Sequence, residues 1–286
     1  MERLPAIEAG CRRRGIAYEV RRTGSAGSAA RLVSGCMATV PDLDRVAVVG
    51  GDGAVTEAAA ALIGTGLPLG VVPLGTGNDF AGGIGLPRGR DIDACLDVVF
   101  NGVPRPIDIA RYRTDSENGI YLNVASTGFD AAVTQNALRL KRRINSRFIY
   151  LMAIPAALPR LGFHRIDMTV DGIRIRRRAL MVAVANGRQY GGGIRINPGA
   201  ALDDGRLDLI VYRAASPVKM VATLPRFILG RHGRLDYLET RQCRSVRIDA
   251  ETPLPVNVDG EMKGATPLEI EIVPKGLTIL TPPVRR

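Results

Sequence analysis

Residues 46–57, VAVVGGDGAVTE, restrict the possible folds of this chain more than any other stretch. Val46–Gly50 is apolar and mostly β-branched, which predicts a buried strand of a parallel sheet. Three glycines then lead into residues 55–63, an alanine-rich segment that predicts a helix. A buried strand that turns through glycines into a helix is typical of a doubly wound α/β domain.

The glycine turn also predicts a phosphate site. Gly50, Gly51 and Gly53 let the backbone approach a ligand closely, and the start of the following helix adds partial positive charge. Asp52, between them, would repel a phosphate unless a divalent cation lay between the two groups. We therefore expect a nucleotide–magnesium site here. The alternative is a tight turn with a solvated aspartate.

A second glycine loop follows the next strand. Residues 69–72 predict another buried strand, and residues 73–81, PLGTGNDFA, come directly after it. Asp79 lies where this loop enters a helix, and its alternative role is to cap that helix. Because neighbouring parallel strands end at the same edge of a sheet, we expect the two loops to meet at one crevice.

The rest of the first half adds helices and one strand. We predict helices over residues 6–14, 25–38 and 92–100, and a strand over residues 17–22. The chain begins in a helix, without the strand that opens a βαβ unit. We therefore expect that the natural protein starts upstream, or that this chain is a truncated form.

Strands dominate after Pro106. Asp171-Gly172 predicts a two-residue hairpin turn. Helical segments are expected over residues 131–161 and 217–229, and strands over residues 107–113, 120–126, 167–170, 173–185, 207–212, 245–250, 255–258, 268–273 and 277–280. Serial strands predict a sandwich or barrel. We thus expect an α/β domain over residues 1–107 and an all-β domain over residues 108–286, whose last strand is free to return to the first domain.

Composition limits the partners. Lys and Arg exceed Asp and Glu by 39 − 28 = 11, which favours nucleic acid, an anionic membrane surface or a phosphate-rich substrate. Aromatic residues are only 5% of the chain and Trp is absent, so a platform for stacking nucleic-acid bases is poorly supplied. We expect no nucleic-acid partner.

Cysteine usage indicates the compartment. No Cys-x-x-Cys spacing occurs, so buried thiols in a reducing compartment are expected of the four cysteines, Cys11, Cys36, Cys95 and Cys243. Only two histidines are present, which disfavours a His-based metal site or a Ser–His–Asp triad. No apolar run has the length of a membrane span, and no signal peptide is recognisable. We expect a cytoplasmic protein, at most peripheral at the inner face of the membrane.

Five motifs occur in a fixed order along the chain. They are GGDGAVTE at 50–57, PLGTGNDFA at 73–81, YLNVASTGFDAAV at 121–133, NGRQYGGGIRINPGAALDDGRLDL at 186–209 and VNVDGE at 256–261. With these motifs the chain resembles the diacylglycerol kinase catalytic-domain family, and most closely its bacterial soluble lipid kinases, relatives of sphingosine and ceramide kinases. The resemblance implies an α/β nucleotide domain like that of phosphofructokinases and NAD kinases, a C-terminal β-sandwich, and an active site in the cleft between them.

The resemblance also implies ligands for ATP and Mg²⁺. Asp52, Asp79 and Asp108 would hold Mg²⁺ or its water shell; the alternative for Asp108 is a solvated residue at a strand end. A second, structural magnesium ion would use the carboxylate of Asp204 and the backbone carbonyls of Ala201 and Arg206. The nucleotide would contact Thr23, Gly50, Gly51, Asp52, Gly53, Ala54, Val55, Thr56, Glu57, Gly75, Thr76, Gly77 and Asn78.

Glu261 matches the general base of the family. It would accept the proton of the lipid hydroxyl while that oxygen attacks phosphorus. Because Asp259-Gly260 is also a turn signal, the alternative is a polar hairpin turn.

The chain departs from the family pattern in three places. Ala54 replaces a threonine and Thr56 an asparagine, and the loss of the hydroxyl at position 54 would lower nucleotide affinity or rate. The third departure lies at the start: the family's first strand and its Asn-Pro-x-Ser/Ala-Gly loop do not precede residue 15.

Two basic runs remain. Residues 139–143, RLKRR, with Arg147, adjoin an apolar stretch at 148–158, which suits contact with anionic lipid; the alternative is a solvated helix face. Residues 174–178, RIRRR, predict an exposed strand edge.

The leading interpretation is an ATP-dependent lipid kinase that transfers the γ-phosphoryl group to a lipid hydroxyl such as that of diacylglycerol. The runner-up is an NAD-kinase-like kinase of a soluble hydroxyl compound. A third alternative is a catalytically inactive protein that binds nucleotide or membrane. The oligomeric state stays open, with a homodimer as one option.

Overall fold

A computed structural model provides the structure. It describes residues 3–25, 27–87, 91–141, 149–157, 162–215 and 235–283, with residues 219, 222–223, 225–226 and 229–231 between the last two ranges. The chain divides into two compact units. Unit 1 comprises Met1–Ile107 and Gly276–Arg286, and unit 2 comprises Asp108–Lys275.

The first half of the chain alternates helices with two parallel strands. The elements in order are α1 Leu4–Arg13, α2 Ser28–Thr39, β1 Val46–Gly50, α3 Asp52–Leu62, β2 Leu69–Pro73, α4 Asp79–Gly83 and α5 Ile92–Asn101. β1 runs parallel to β2, with Val46 opposite Leu69 and Gly50 opposite Pro73. The two glycine loops therefore leave the sheet at the same edge, as the alternation of elements predicted.

The two strands differ in burial. Every residue of β2 is buried, and Val72 packs in a cluster with residues of α1 and α5. β1 instead alternates between half-buried and exposed residues, and Val49 is 43% exposed. The prediction that β1 is a buried strand is therefore wrong. Among the described strands β1 pairs only with β2, so its other side lacks the cover that an internal strand has.

The strand predicted over residues 17–22 is also wrong. Residues 17–22 form neither helix nor strand, and all of them are exposed, including Tyr18 and Val20. A favourable composition does not make a strand unless a neighbouring strand supplies hydrogen-bond partners.

The second half is mainly strands. Its elements are β3 Val103–Arg113, β4 Asn118–Tyr121, β5 Val124–Gly128, α6 Phe129–Lys141, α7 Ile149–Ala157, β6 His164–Val170, β7 Ile173–Ala185, β8 Leu207–Arg213, β9 Leu238–Cys243, β10 Ser245–Ala250, β11 Pro255–Val258, β12 Glu261–Ala265 and β13 Leu268–Thr281. Residues 142–148, 158–161 and most of 217–229, which include parts of the predicted helices, lie outside the described residues.

β7 is the central strand of unit 2. Its first half pairs with β6, and its second half pairs with β5 on one side and β8 on the other. Asp171 and Gly172, with φ of 46° and 82°, join β6 to β7 in the predicted hairpin. β5 continues the sheet to β11 and then to β12.

Three strand predictions need correction. Residues 120–126 form two strands instead of one, because β4 ends at Tyr121 and β5 begins at Val124. Residues 268–273 and 277–280 belong to the single strand β13. The sequence patterns also did not predict β9 and β12. Their residues are mostly polar and half-buried or exposed, so these strands lack the apolar alternation of a core strand.

Three of the four cysteines are buried, as expected for small apolar side chains, and Cys36 is half-buried. Burial raises the pKa of the Cys95 thiol to about 11 and that of Cys243 to about 12. In the described part of the chain, no helix is both long and apolar enough to cross a membrane.

The core of unit 2 lies beneath β6, β7 and β10 and includes Ile166 and Ile248, both fully buried. We expect Ile248→Ala to lower the free energy of unfolding by about 2–5 kcal/mol, because it removes buried methylene groups and leaves a cavity. Chemical denaturation measures this loss. Ile173→Ala, at a residue that is 59% exposed, is the matched control and should cost less than about 1 kcal/mol. Equal losses in both variants would contradict this assignment of the core.

Candidate functional site

The two glycine loops of unit 1 touch each other. The Leu74 N–H donates to the Gly50 carbonyl at 2.9 Å. A Cβ added at Gly75 would lie 2.4 Å from the Gly51 Cα, and one added at Gly51 would lie 3.1 Å from the Gly75 Cα. These distances leave no room for a side chain at Gly75 and hardly any at Gly51. The contact explains why glycine is needed on both loops.

Asn78 holds the second loop in shape. It adopts the left-handed conformation, with φ of 56°. Its Oδ1 accepts from the Gly75 N–H at 2.9 Å, and its Nδ2 donates to the Gly75 carbonyl at 2.7 Å. Asparagine suits this position because it tolerates positive φ and bonds readily to nearby backbone.

Asp52 links the two loops. It is the first residue of α3, and its carboxylate accepts from the backbone N–H groups that begin α4: Oδ2 from Asp79 at 3.1 Å and Oδ1 from Phe80 at 3.1 Å. The aspartate that looked out of place in a phosphate loop therefore caps the neighbouring helix. Each carboxylate oxygen keeps further lone pairs that can bind a cation or water.

A second carboxylate lies beside Asp52. A Cβ at Gly77 would be 3.1 Å from the Asp52 Oδ2 and 3.5 Å from the Asp79 Oδ2, so the two acidic side chains flank this glycine. Asp79 is buried. Within the described residues, no three His, Cys, Asp or Glu side chains group closely enough to hold a metal by themselves. Two carboxylates nevertheless suit Mg²⁺, which commonly takes one or two carboxylates and completes its shell with phosphate oxygens and water.

Glu57 serves a different segment of unit 1. Its Oε1 accepts from the Gly27 N–H at 2.6 Å and its Oε2 from the Ala29 N–H at 3.0 Å, so it caps α2. The sequence analysis predicted a nucleotide contact for Glu57 and did not predict this capping role. It thereby holds the start of α2, five residues after the exposed Thr23.

The remaining predicted nucleotide contacts vary in exposure. The Val55 side chain is buried, so this residue could offer a ligand only its backbone. The others are half-buried or exposed: Gly50, Gly51, Ala54 and Thr56 are half-buried, and Gly53, Thr76 and Gly77 are exposed.

Asp108 in unit 2 is buried, with 1% exposure. Its Oδ1 accepts from the Lys275 N–H at 2.8 Å, and its Oδ2 accepts from the Gly205 N–H at 2.6 Å. The alternative of a solvated residue at a strand end is therefore wrong. The carboxylate joins β13 to the segment that precedes β8, and its magnesium role stays a prediction.

The predicted structural metal site lies in an exposed turn. The Asp204 Oδ1 accepts from the Arg206 N–H at 3.0 Å, and its Oδ2 accepts from the Gln242 side chain at 3.3 Å. Ala201 is half-buried in the same turn. These contacts give the turn its shape, and metal binding by Ala201, Asp204 and Arg206 stays a prediction.

Glu261 begins β12 and is 60% exposed. The Lys263 Nζ lies 3.0 Å from its Oε2. Burial acts to lower the pKa of Lys263, but the hydrogen bond to Glu261 and the charges of its acidic and tyrosine neighbours outweigh burial and leave this pKa raised. Lys263 therefore stays charged beside Glu261.

The turn before Glu261 is anchored by Asp259. The Asp259 carboxylate accepts from the backbone N–H groups of Leu122 at 3.0 Å, Asn123 at 3.1 Å and Val124 at 2.9 Å. The sequence reading treated Asp259 only as a turn residue. No local pattern could have shown that its acceptors would be used by backbone more than 130 residues away.

Comparison with known families accounts for both units. A diacylglycerol kinase catalytic domain model matches residues 1–112, and a model described as the YegS C-terminal NAD kinase beta sandwich-like domain matches residues 123–281. The chain belongs to this family of bacterial lipid kinases. The predicted fold class, an α/β domain followed by a β-sandwich, is thereby confirmed.

Individual relatives support the same family assignment. A diacylglycerol kinase of Mycobacterium tuberculosis is 36% identical over 263 residues, which are 91% of this chain and 83% of the relative. A Xanthomonas oryzae protein named as a YegS-like lipid kinase is 34% identical over 288 residues, 95% of this chain and 89% of that protein. Family membership supports a kinase activity toward a lipid-like substrate.

Solved structures share the fold. A crystal structure from Bacillus anthracis aligns with a TM-score of 0.78 at 24% identity, over 98% of this chain and 90% of that one. An Archaeoglobus fulgidus NAD kinase in complex with ATP aligns with a TM-score of 0.51 at 15% identity, over 98% of this chain and 90% of that one.

The contact between the glycine loops generates a prediction. Gly75→Ala should force the loops apart, lower the free energy of unfolding by about 1–3 kcal/mol and weaken ATP binding in titration calorimetry. Gly83→Ala is the matched control, because a Cβ there meets no atom within 4 Å, and it should change neither quantity. Unchanged ATP binding in Gly75→Ala would show that the loop contact does not form the nucleotide site.

Proposed function

We propose that this protein is an ATP-dependent lipid kinase that transfers the γ-phosphoryl group to the hydroxyl of diacylglycerol or a similar lipid. One observation carries the proposal beyond family membership: two glycine loops in contact, with the carboxylates of Asp52 and Asp79 on either side of Gly77. Close-approach backbone supports phosphate binding, and paired carboxylates support a divalent cation.

We assign nucleotide binding to the loops of unit 1. The N–H groups at the start of α3 and along the loop held by Asn78 would face the phosphates. Asp52 and Asp79 would hold Mg²⁺, which when bound neutralises charge on the β- and γ-phosphates. Because Asp52 is fixed by two backbone N–H groups, it would meet the cation without first reorganising.

We assign the role of general base to Glu261. In this step the lipid hydroxyl oxygen forms a bond to the γ-phosphorus, the bond from that phosphorus to the leaving ADP oxygen breaks, and the hydroxyl proton passes to the Glu261 carboxylate. Its exposure allows a substrate to reach it, and the Lys263 Nζ, 3.0 Å from its Oε2, limits the positions that the side chain takes.

We further propose that α6 and α7 contact an anionic membrane surface, where the lipid substrate resides. Leu138 on α6 and Met152 on α7 are exposed apolar side chains, and Met152 is 48% exposed. Pro155 and Ala156 extend this exposed apolar face, and Arg139 adds an exposed positive charge. The rest of the basic run predicted to aid this contact, residues 142–147, lies outside the described residues.

Glu261→Gln tests the general base. We expect the rate of phosphoryl transfer to fall about 10²- to 10⁴-fold, with ATP affinity unchanged, because the amide cannot accept the proton. The assay follows radiolabelled ATP with a panel of lipids in mixed micelles. Glu271→Gln, at an exposed residue of β13, is the matched control and should keep full activity. Unchanged turnover in Glu261→Gln would remove this residue from the mechanism.

The same assay distinguishes the activities. Label that enters the organic phase supports a lipid kinase, and the preferred lipid in the panel identifies the substrate. Label on a water-soluble acceptor would instead indicate an NAD-kinase-like activity. Binding of ATP without any transfer would indicate a non-catalytic protein.

Met152→Glu tests the membrane contact. We expect it to reduce co-sedimentation with vesicles of phosphatidylcholine and phosphatidylglycerol, because it places a negative charge on the apolar face. Ile173→Glu changes an exposed apolar residue of β7 in the same unit and should leave co-sedimentation unchanged. Equal binding by both variants and the unaltered protein would contradict the proposed contact surface.

A further inference from the structure

Asp130 is a buried carboxylate, with 4% exposure, in the first turn of α6. Three neutral side chains donate to it. Ser126 Oγ and Asn257 Nδ2 donate to its Oδ2 at 2.5 and 2.6 Å, and Tyr190 Oη donates to its Oδ1 at 2.7 Å. Burying an ionised carboxylate is costly unless hydrogen bonds compensate, and this arrangement supplies them.

The three donors come from separate parts of unit 2. Ser126 lies on β5, Asn257 on β11 and Tyr190 in the segment after β7. Burial and, next, the negative charge of Asp130 raise the pKa of Tyr190 well above its ordinary value, so its hydroxyl stays a donor. Asp130 therefore fixes the position of β11 relative to its surroundings.

β11 carries the hairpin that ends at Glu261. Asn257 pairs with Met262 across this hairpin, and the next residue, Val258, pairs with Glu261. The Tyr150 hydroxyl donates to the Gly260 carbonyl at 3.0 Å in the turn itself. The hydrogen bond to Asp130 therefore holds β11 at Asn257. The next residue of the strand, Val258, pairs directly with Glu261.

We propose that Asp130 is a positioning residue for Glu261 and acts through Asn257. The inference rests on the proposed function, in which Glu261 is the general base. A shift of about 1 Å in a catalytic group costs on the order of 100-fold in rate. Without the Asp130 acceptor, Asn257 Nδ2 keeps the longer hydrogen bond to Ser126 Oγ at 3.3 Å, and this weaker hold on β11 lets the hairpin shift.

Two variants test this role. Asp130→Asn removes the charge, and Tyr190→Phe removes one donor while keeping the ring and its packing. We expect Asp130→Asn to lower kcat about 10- to 100-fold, Tyr190→Phe to lower it less, and both to keep the KM for ATP of the unaltered enzyme. The decisive measurement combines each variant with Glu261→Gln. Neither should lower kcat further in that background, because Asp130 acts through the missing base.

Asp171→Asn is the matched control. The Asp171 Oδ1 accepts from the N–H groups of Arg244 and Ser245 at 2.9 and 2.8 Å, at a turn of unit 2 that does not contain Glu261. It should lower the midpoint of thermal unfolding and leave kcat unchanged. If Asp130→Asn does not fold, Tyr190→Phe carries the test alone.

Three outcomes would overturn the positioning role. Unchanged kcat in Tyr190→Phe and in Asp130→Asn, with activity lost in Glu261→Gln, would overturn it and leave the general base intact. Losses that multiply with that of Glu261→Gln would show that Asp130 acts independently of the base. Full activity in Glu261→Gln would overturn the general base and the positioning role together.

Discussion

Carboxylates that accept backbone N–H groups from distant segments hold this protein together. Asp52 caps α4, Glu57 caps α2, and Asp259 gathers the N–H groups of residues 122–124. Loops and helix starts leave donors that the local backbone cannot satisfy, and an unpaired buried donor is costly. Acidic side chains supply the acceptors, so the same residue type that suggests a metal or catalytic site also builds the loops.

This double use matters most at Asp52. Its carboxylate joins the two glycine loops and also lies beside Asp79 at the proposed cation site. A change at Asp52 therefore affects both the shape of the loops and the charge of the site. A change at Gly75 affects the shape of the loops without changing the charge of the site, because the constraint there is the close approach of the Gly51 backbone.

At Glu261 in unit 2, unlike at Asp52, the proposed reactive group and the contacts that hold its segment belong to different residues. The side chain itself is exposed, while the hairpin that carries it is fixed by buried or backbone contacts from Asp259, Asp130 and Tyr150. An exposed group can meet a substrate, and anchors behind it limit the conformations it samples. Exposure of the reactive carboxylate and rigidity of its support are thus provided by different residues.

The sequence by itself determined whatever depends on neighbours along the chain. The bounds of β1, β7 and β11 and the Asp171-Gly172 hairpin follow from apolar patterning and turn residues, which are local. The apposition of the glycine loops followed from the order of strands and helices. Only the tertiary structure decided the exposure of residues 17–22, because burial and strand pairing depend on partners far away in the chain. The tertiary structure alone also decided the hydrogen-bond partners of Glu57, Asp108 and Asp130. The sequence does not show whether the oxygens of an acidic side chain face solvent, a cation or a distant backbone N–H group.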